Sequence, residues 1–124
     1  MTIQELYAKI GGSYDQAVRV MNKDKLIDKY VRKLKNSNVG EMLAEAGESM
    51  DAVKLFESAH AMKGVCSNLG LDELAKAAHE ITEEFRDGNT RTLSDEAVRE
   101  KVSAILQRYR QTVQCISEYE ASNS

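Results

Sequence analysis

Apolar residues recur every three or four positions along most of this chain, which is the spacing of amphipathic helices. The clearest series lies between Met50 and Leu69. Its members, separated by four, three, four and three positions, are Leu55, Ala59, Met62, Cys66 and Leu69. Runs with the two-residue period of half-buried strands are missing, and the chain contains no proline. The pattern therefore predicts an all-α protein.

Further segments share the helical spacing: 2–10, 14–21, 23–36, 39–46, 71–86 and 95–119. We expect the three long helices, together with a fourth from segment 23–36, to form an up-down-up-down four-helix bundle, with the short N-terminal helices capping one end. In segment 39–46, Met42 and Leu43 should face the core, and Gly47 should end the helix. Residues 1–124 are expected to form one domain, with the tail 120–124 frayed.

Composition narrows the function classes. With 42% hydrophobic and 30% charged residues the chain has the balance of a soluble globular protein. It lacks the run of roughly 20 apolar residues that spans a membrane, and its first residues do not resemble a signal peptide. We therefore expect a cytoplasmic protein with no membrane partner. A net charge of -3 argues against nucleic acid as the main partner.

Two local features leave alternatives open. Basic residues crowd the segment 19–35, as expected either for a solvated helix face or for a dedicated basic binding surface. The cysteines, Cys66 and Cys115, lack metal-site spacing and are expected to be thiols, with Cys66 as core filler.

The central helix carries a histidine away from its core stripe. At 100° per residue, His60 lies about 130° from the centre of the stripe, with Lys63, Gly64 and Ser67 on the same flank. A glycine inside a helix costs about 1 kcal/mol relative to alanine. Gly64 therefore calls for a local reason, and the simplest is clearance for a reaction partner one turn from His60.

Apolar residues accompany this flank. Phe56 and Val53, one and two turns before His60, should place an apolar patch for partner docking beside the imidazole. The second histidine, His79, lacks a Lys-Gly companion and is expected to be a solvated surface residue. Two histidines without a third suitably placed ligand make a poor zinc site, so no metal site is predicted.

The flank is suited to phosphoryl chemistry. A neutral imidazole can attack a phosphoryl group and hold it as a phosphoramidate, and Lys63 can stabilise the charge on the phosphoryl oxygens. Ser67 and Asn68 could add hydrogen bonds. Since the chain holds no Walker-type loop and no acidic metal-ligand cluster at a recognised spacing, another protein must supply the acidic pocket and Mg²⁺. On the pattern alone, a surface histidine without a role explains His60 equally well.

The stretch from His60 to Leu71, HAMKGVCSNLGL, resembles the signature of histidine-containing phosphotransfer (HPt) domains, in which His-x-x-Lys-Gly is followed by small residues and Leu-Gly. Segments 5–12 and 74–86 also resemble free-standing bacterial members. Met62 departs from the family pattern, where leucine is common, but the change conserves volume.

The resemblance implies a phosphorelay carrier without an ATP site of its own. His60 would accept a phosphoryl group from an aspartate of one response-regulator receiver domain and pass it to another, with Mg²⁺ bound on the receiver. Lys63 and Gly64 match the helper lysine and the clearance glycine of the family, and Asn68 and Gly70 match positions often found in the signature. A hybrid histidine kinase is a further candidate partner.

Two other functions are compatible with the same residues. The chain could be a helical binding module for a receiver or a kinase that accepts no phosphate. It could also be the detached phosphoacceptor domain of a chemotaxis-type histidine kinase, although it carries no further domain or long linker.

Overall fold

The computed structural model describes residues 1–123, and that part of the chain contains helices without strands. The helices, in chain order, are α1 (Ile3–Ile10), α2 (Tyr14–Met21), α3 (Asp24–Lys35), α4 (Val39–Ser49), α5 (Ala52–Asn68), α6 (Asp72–Glu84) and α7 (Asp95–Ser122). The all-α prediction is confirmed. Within the described residues, no helix combines the length and the apolar character needed to cross a membrane.

Four consecutive helices form the bundle. Helix α5 packs against α4 and α6, and α7 packs against the same two helices from the other side. Helices α1 and α3 lie on α7, while α2 contacts α3 and α5. The four-helix bundle with short N-terminal helices is confirmed, but its fourth helix is α4. The assignment of segment 23–36 to that position was wrong.

Small residues explain why α4 occupies this position. Gly40 and Gly47 are buried on α4 and lie against α7. A Cβ added at Gly40 would come within 2.7 Å of the Tyr109 ring, and one added at Gly47 would come within 3.0 Å of Val102. Glycine therefore allows the two helices to approach closely.

Two expectations for α4 were also wrong. Gly47 lies inside the helix, which continues to Ser49 and ends with Met50 in the left-handed conformation. Met42 is 41% exposed, whereas its neighbour Leu43 is fully buried. The core-facing stripe of α4 therefore consists largely of small residues and runs through Leu43.

The core stripe of α5 agrees with the sequence prediction. All five of its members are buried: Leu55, Ala59, Met62, Cys66 and Leu69. Burial raises the pKa of the Cys66 thiol to about 12, so this cysteine stays protonated as part of the core.

The C-terminal part of α7 is fixed to the N-terminal helices. Lys35 Nζ lies 2.8 Å from Glu120 Oε1, and the Tyr119 hydroxyl donates a 2.6 Å hydrogen bond to Asp28. The Asn123 amide donates to the Met1 carbonyl oxygen at 2.7 Å. Because α7 remains helical to Ser122, the expectation of a frayed tail from residue 120 was wrong as far as Ser122. Its last position, Ser124, lies outside the described residues.

Candidate functional site

His60 lies near the middle of α5 on the face opposite the buried stripe. The helix begins after Asp51, whose side chain accepts a 3.0 Å hydrogen bond from the Lys54 amide, and it ends at Leu69 as its C-cap. His60 is exposed while Ala59 beside it is fully buried. The predicted orientation of the histidine toward solvent is confirmed, and regular helix on both sides fixes the position of its backbone.

The residues after His60 form the predicted flank. Lys63 is half-buried one turn on, and Gly64 and Ser67 are exposed. Among residues 1–123, no acidic side chain forms an ion pair with Lys63. Its ammonium group is therefore available to an incoming anion. Asn68 is also exposed, at the end of the helix.

Gly64 has no packing role within the chain. A Cβ built at this position would meet nothing within 4 Å, in contrast to Gly40 and Gly47. The backbone at Gly64 is also ordinary helix, since the glycines with positive φ among the described residues are Gly11, Gly70 and Gly88. Nothing among residues 1–123 therefore requires a glycine here, and the open space at this exposed position faces solvent.

On the other side of His60, the Phe56 ring stacks on the imidazole. The two ring centroids are 5.6 Å apart and the planes differ by 7°, which is an offset parallel arrangement. Phe56 is half-buried, whereas Val53, one turn earlier, is 64% exposed. Both residues lie on the histidine flank, as the sequence predicted.

Sequence reasoning missed Arg86, which approaches the same ring from the segment that follows α6. Its guanidinium carbon lies 5.3 Å from the Phe56 centroid, just beyond the end of α6. Arg86 Nε donates to both carboxylate oxygens of Glu83, at 3.1 and 3.0 Å. These hydrogen bonds hold the pKa of Glu83 below its usual value. No local signal could have identified the contact, because it depends on the packing of α5 against α6.

A groove that the sequence did not reveal lies between α2, α3 and the C-terminal end of α5. Its volume is about 1190 Å³, and Asn68 is among its lining residues. The groove also contains most of the large apolar side chains that are exposed in residues 1–123: Val20, Leu26, Tyr30 and Val65. The groove therefore gathers much of the exposed apolar surface of residues 1–123 in one place.

Basic residues border this groove. Lys29 and Lys33 place their ammonium groups 5.7 and 5.4 Å from the centroid of the Tyr30 ring, and Arg32 also lines the groove. Part of the basic segment noted in the sequence therefore borders an apolar surface. This arrangement suits a partner that combines apolar and acidic side chains.

His79 lacks the lysine and glycine that accompany His60 one helical turn further along. Its side chain is 47% exposed on α6, and Nδ1 is 3.9 Å from Glu83 Oε1. Position 82, three residues further along, is the buried Thr82 rather than a lysine. The structure thus places His79 on the surface, as expected.

One comparison with known proteins gives a match. The family model of the Hpt domain matches residues 28–114, a range that includes all of α4, α5 and α6. No curated protein and no solved structure matches the chain. Since the matched range covers most of the sequence, contains His60, Lys63 and Gly64, and coincides with a helical bundle, the chain belongs to the Hpt domain family, the histidine phosphotransfer domains of phosphorelay signalling.

Proposed function

We propose that this chain is a phosphorelay carrier in which His60 accepts a phosphoryl group from the aspartyl phosphate of one receiver domain and passes it to the aspartate of another. The observation that carries the proposal is the combination of an exposed His60, a Lys63 without an ion pair among residues 1–123, and the open space at Gly64. We further propose that residues 1–124 act as a single domain that presents this site.

The transfer requires an in-line displacement at phosphorus. A ring nitrogen of His60 forms the new N–P bond, while the bond to the aspartyl oxygen breaks and the carboxylate leaves; passage to the second receiver reverses these steps. Charge spreads over the three phosphoryl oxygens in the transition state, so a nearby cation stabilises it. In this proposal Lys63 supplies that charge, Ser67 and Asn68 supply hydrogen bonds, and Mg²⁺ is bound by the receiver.

Gly64 and the apolar surfaces support the docking of a second protein at His60. Because Gly64 has no side chain, a receiver can bring its aspartate close to the imidazole. Val53 lies before the histidine on α5, and the groove containing Val65 lies after it. A receiver centred on His60 would cover both, and the basic residues at the groove would attract its acidic surface.

Reconstitution of both transfer steps tests this function. The chain is mixed with a receiver domain carrying a labelled phosphoryl group, and a second receiver is added afterwards. We expect label to move to the chain and then to the second receiver. Retention of all label on the first receiver, across the receivers of the source organism, would contradict the proposal.

Two alternatives give different results in the same assay. The exposed groove would also serve a binding module, which would bind a receiver without acquiring label. A detached phosphoacceptor domain of a chemotaxis-type kinase would acquire label from a histidine kinase and ATP without any receiver. Parallel incubations with the kinases plus ATP and with phosphorylated receivers therefore separate the three functions.

A further inference from the structure

Phe56 connects His60 to the guanidinium of Arg86, just beyond the end of α6. One contact of the ring is the parallel stack with the imidazole, and the other is the guanidinium of Arg86. Glu83 holds this guanidinium through hydrogen bonds from Nε to both carboxylate oxygens. The series His60, Phe56, Arg86 and Glu83 therefore joins the middle of α5 to the end of α6.

This series of contacts bears on the orientation of the His60 imidazole. A histidine exposed on a helix has several side-chain rotamers available, and each points its ring nitrogens in a different direction. In-line transfer needs a nitrogen aimed at phosphorus, and poor orientation of reacting groups is costly in rate. Stacking on a ring that is itself held in place restricts the plane of the imidazole before a partner arrives.

Burial distinguishes Phe56 from a residue that serves docking alone. Val53 on the same flank is 64% exposed, so most of its side chain can meet a partner. Phe56 is half-buried, and its ring contacts the His60 imidazole and the Arg86 guanidinium of its own chain. Its contacts with His60 and Arg86 are those of a ring placed to orient its neighbour.

We propose that Phe56 and Arg86 are positioning residues for phosphotransfer: the Phe56 ring sets the plane of the His60 imidazole, and Arg86, held by Glu83, fixes the Phe56 ring. The inference rests on the proposed function of His60 as phosphoacceptor. It assigns to Phe56 a role distinct from the docking role expected from the sequence.

The test uses Phe56→Leu, Phe56→Tyr and Arg86→Ala, with Arg91→Ala as the matched control. Arg91 stacks its guanidinium 5.2 Å from the Phe85 ring and so makes the same kind of contact elsewhere on the loop after α6. Single-turnover transfer from a phosphorylated receiver is measured over a range of receiver concentrations. Separately, NMR records the ring-proton resonances of His60 in the unphosphorylated proteins.

We expect Phe56→Leu to lower the maximal transfer rate about tenfold, with the half-saturating receiver concentration unchanged within about twofold. Arg86→Ala should lower the maximal rate by a smaller factor. Phe56→Tyr, which keeps the ring, should restore most of the rate lost in Phe56→Leu, and Arg91→Ala should transfer at the wild-type rate. The His60 resonances should move in Phe56→Leu and in Arg86→Ala and should stay in place in Arg91→Ala.

An unchanged maximal rate in both Phe56→Leu and Arg86→Ala would overturn the inference, and a rise in the half-saturating concentration alone would assign Phe56 to docking instead. Because Arg86 is a surface residue, its alanine variant supplies the test even if Phe56→Leu folds poorly. The NMR measurement needs no phosphotransfer, so failure of the positioning role is distinguishable from failure of His60 as the acceptor.

Discussion

The Ser13 amide donates a 2.8 Å hydrogen bond to the carbonyl oxygen of Gly70 and so joins the start of α2 to the turn between α5 and α6. Gly70 has φ +71°, and a Cβ added there would lie 2.3 Å from the Ser13 carbonyl oxygen. Close by, the Tyr7 hydroxyl donates to the Leu69 carbonyl oxygen at 2.6 Å. The Leu-Gly end of the signature therefore fastens the N-terminal helices to α5, and its contacts are structural.

Replacement of Gly70 by alanine should destabilise the protein without altering the chemistry of His60. The left-handed backbone and the collision with Ser13 together should lower the free energy of unfolding by about 2 kcal/mol or more. Urea denaturation followed by circular dichroism measures the loss. A variant as stable as wild type would contradict the structural role, and the folded fraction should retain its transfer rate.

Gly64 should behave in the opposite way. Since an added Cβ meets nothing, Gly64→Ala should raise the free energy of unfolding by about 1 kcal/mol, the usual gain for alanine over glycine inside a helix. Gly40→Ala is the matched control, because its Cβ would press on Tyr109 and should lower stability.

The same position should limit transfer. Gly64→Leu, although folded, should block access of a receiver to His60 while both His60 and Lys63 are present. Transfer from a phosphorylated receiver at the wild-type rate in Gly64→Leu would remove the steric explanation of this glycine.

Loss of the Lys63 ammonium should slow transfer while the fold stays intact. We expect Lys63→Ala to reduce the transfer rate about tenfold or more, because charge on the phosphoryl oxygens would lose the cation one helical turn from His60. Lys54→Ala makes the same charge change on the same helix, farther from His60, and should transfer normally. Equal rates for the two variants would show that position 63 has no special role.

The groove should contribute to receiver binding. Leu26→Glu places a carboxylate on its apolar surface among basic neighbours and should weaken receiver affinity by about tenfold. Met42→Glu is the control, since Leu26 and Met42 have similar exposures of 38% and 41% but Met42 lies on α4 outside the groove. Titration of an unphosphorylated receiver by calorimetry gives both affinities, and equal weakening would assign the effect to charge alone.

The features that the sequence predicted correctly depend on the spacing of residues within a single helix. The stripe from Leu55 to Leu69 and the outward direction of His60 follow from one regular helix, so periodicity alone locates them. The position of α4 could not be predicted in this way, because Gly40 and Gly47 give no apolar signal and their role depends on the partner helix.

Tertiary contacts account for what the sequence could not indicate at the site. Arg86 is 30 positions after Phe56, and only the packing of α5 on α6 brings them together. The groove likewise needs three helices at once, because its exposed apolar side chains come from α2, α3 and α5.

The identity of the phosphoacceptor is the central claim, and label transfer to histidine variants tests it most directly. Wild type, His60→Gln and His79→Gln are each incubated with a labelled receiver, and circular dichroism verifies that all three are folded. We predict acid-labile label on wild type and on His79→Gln, and none on His60→Gln. Label on the His60→Gln protein at the wild-type level would contradict the account.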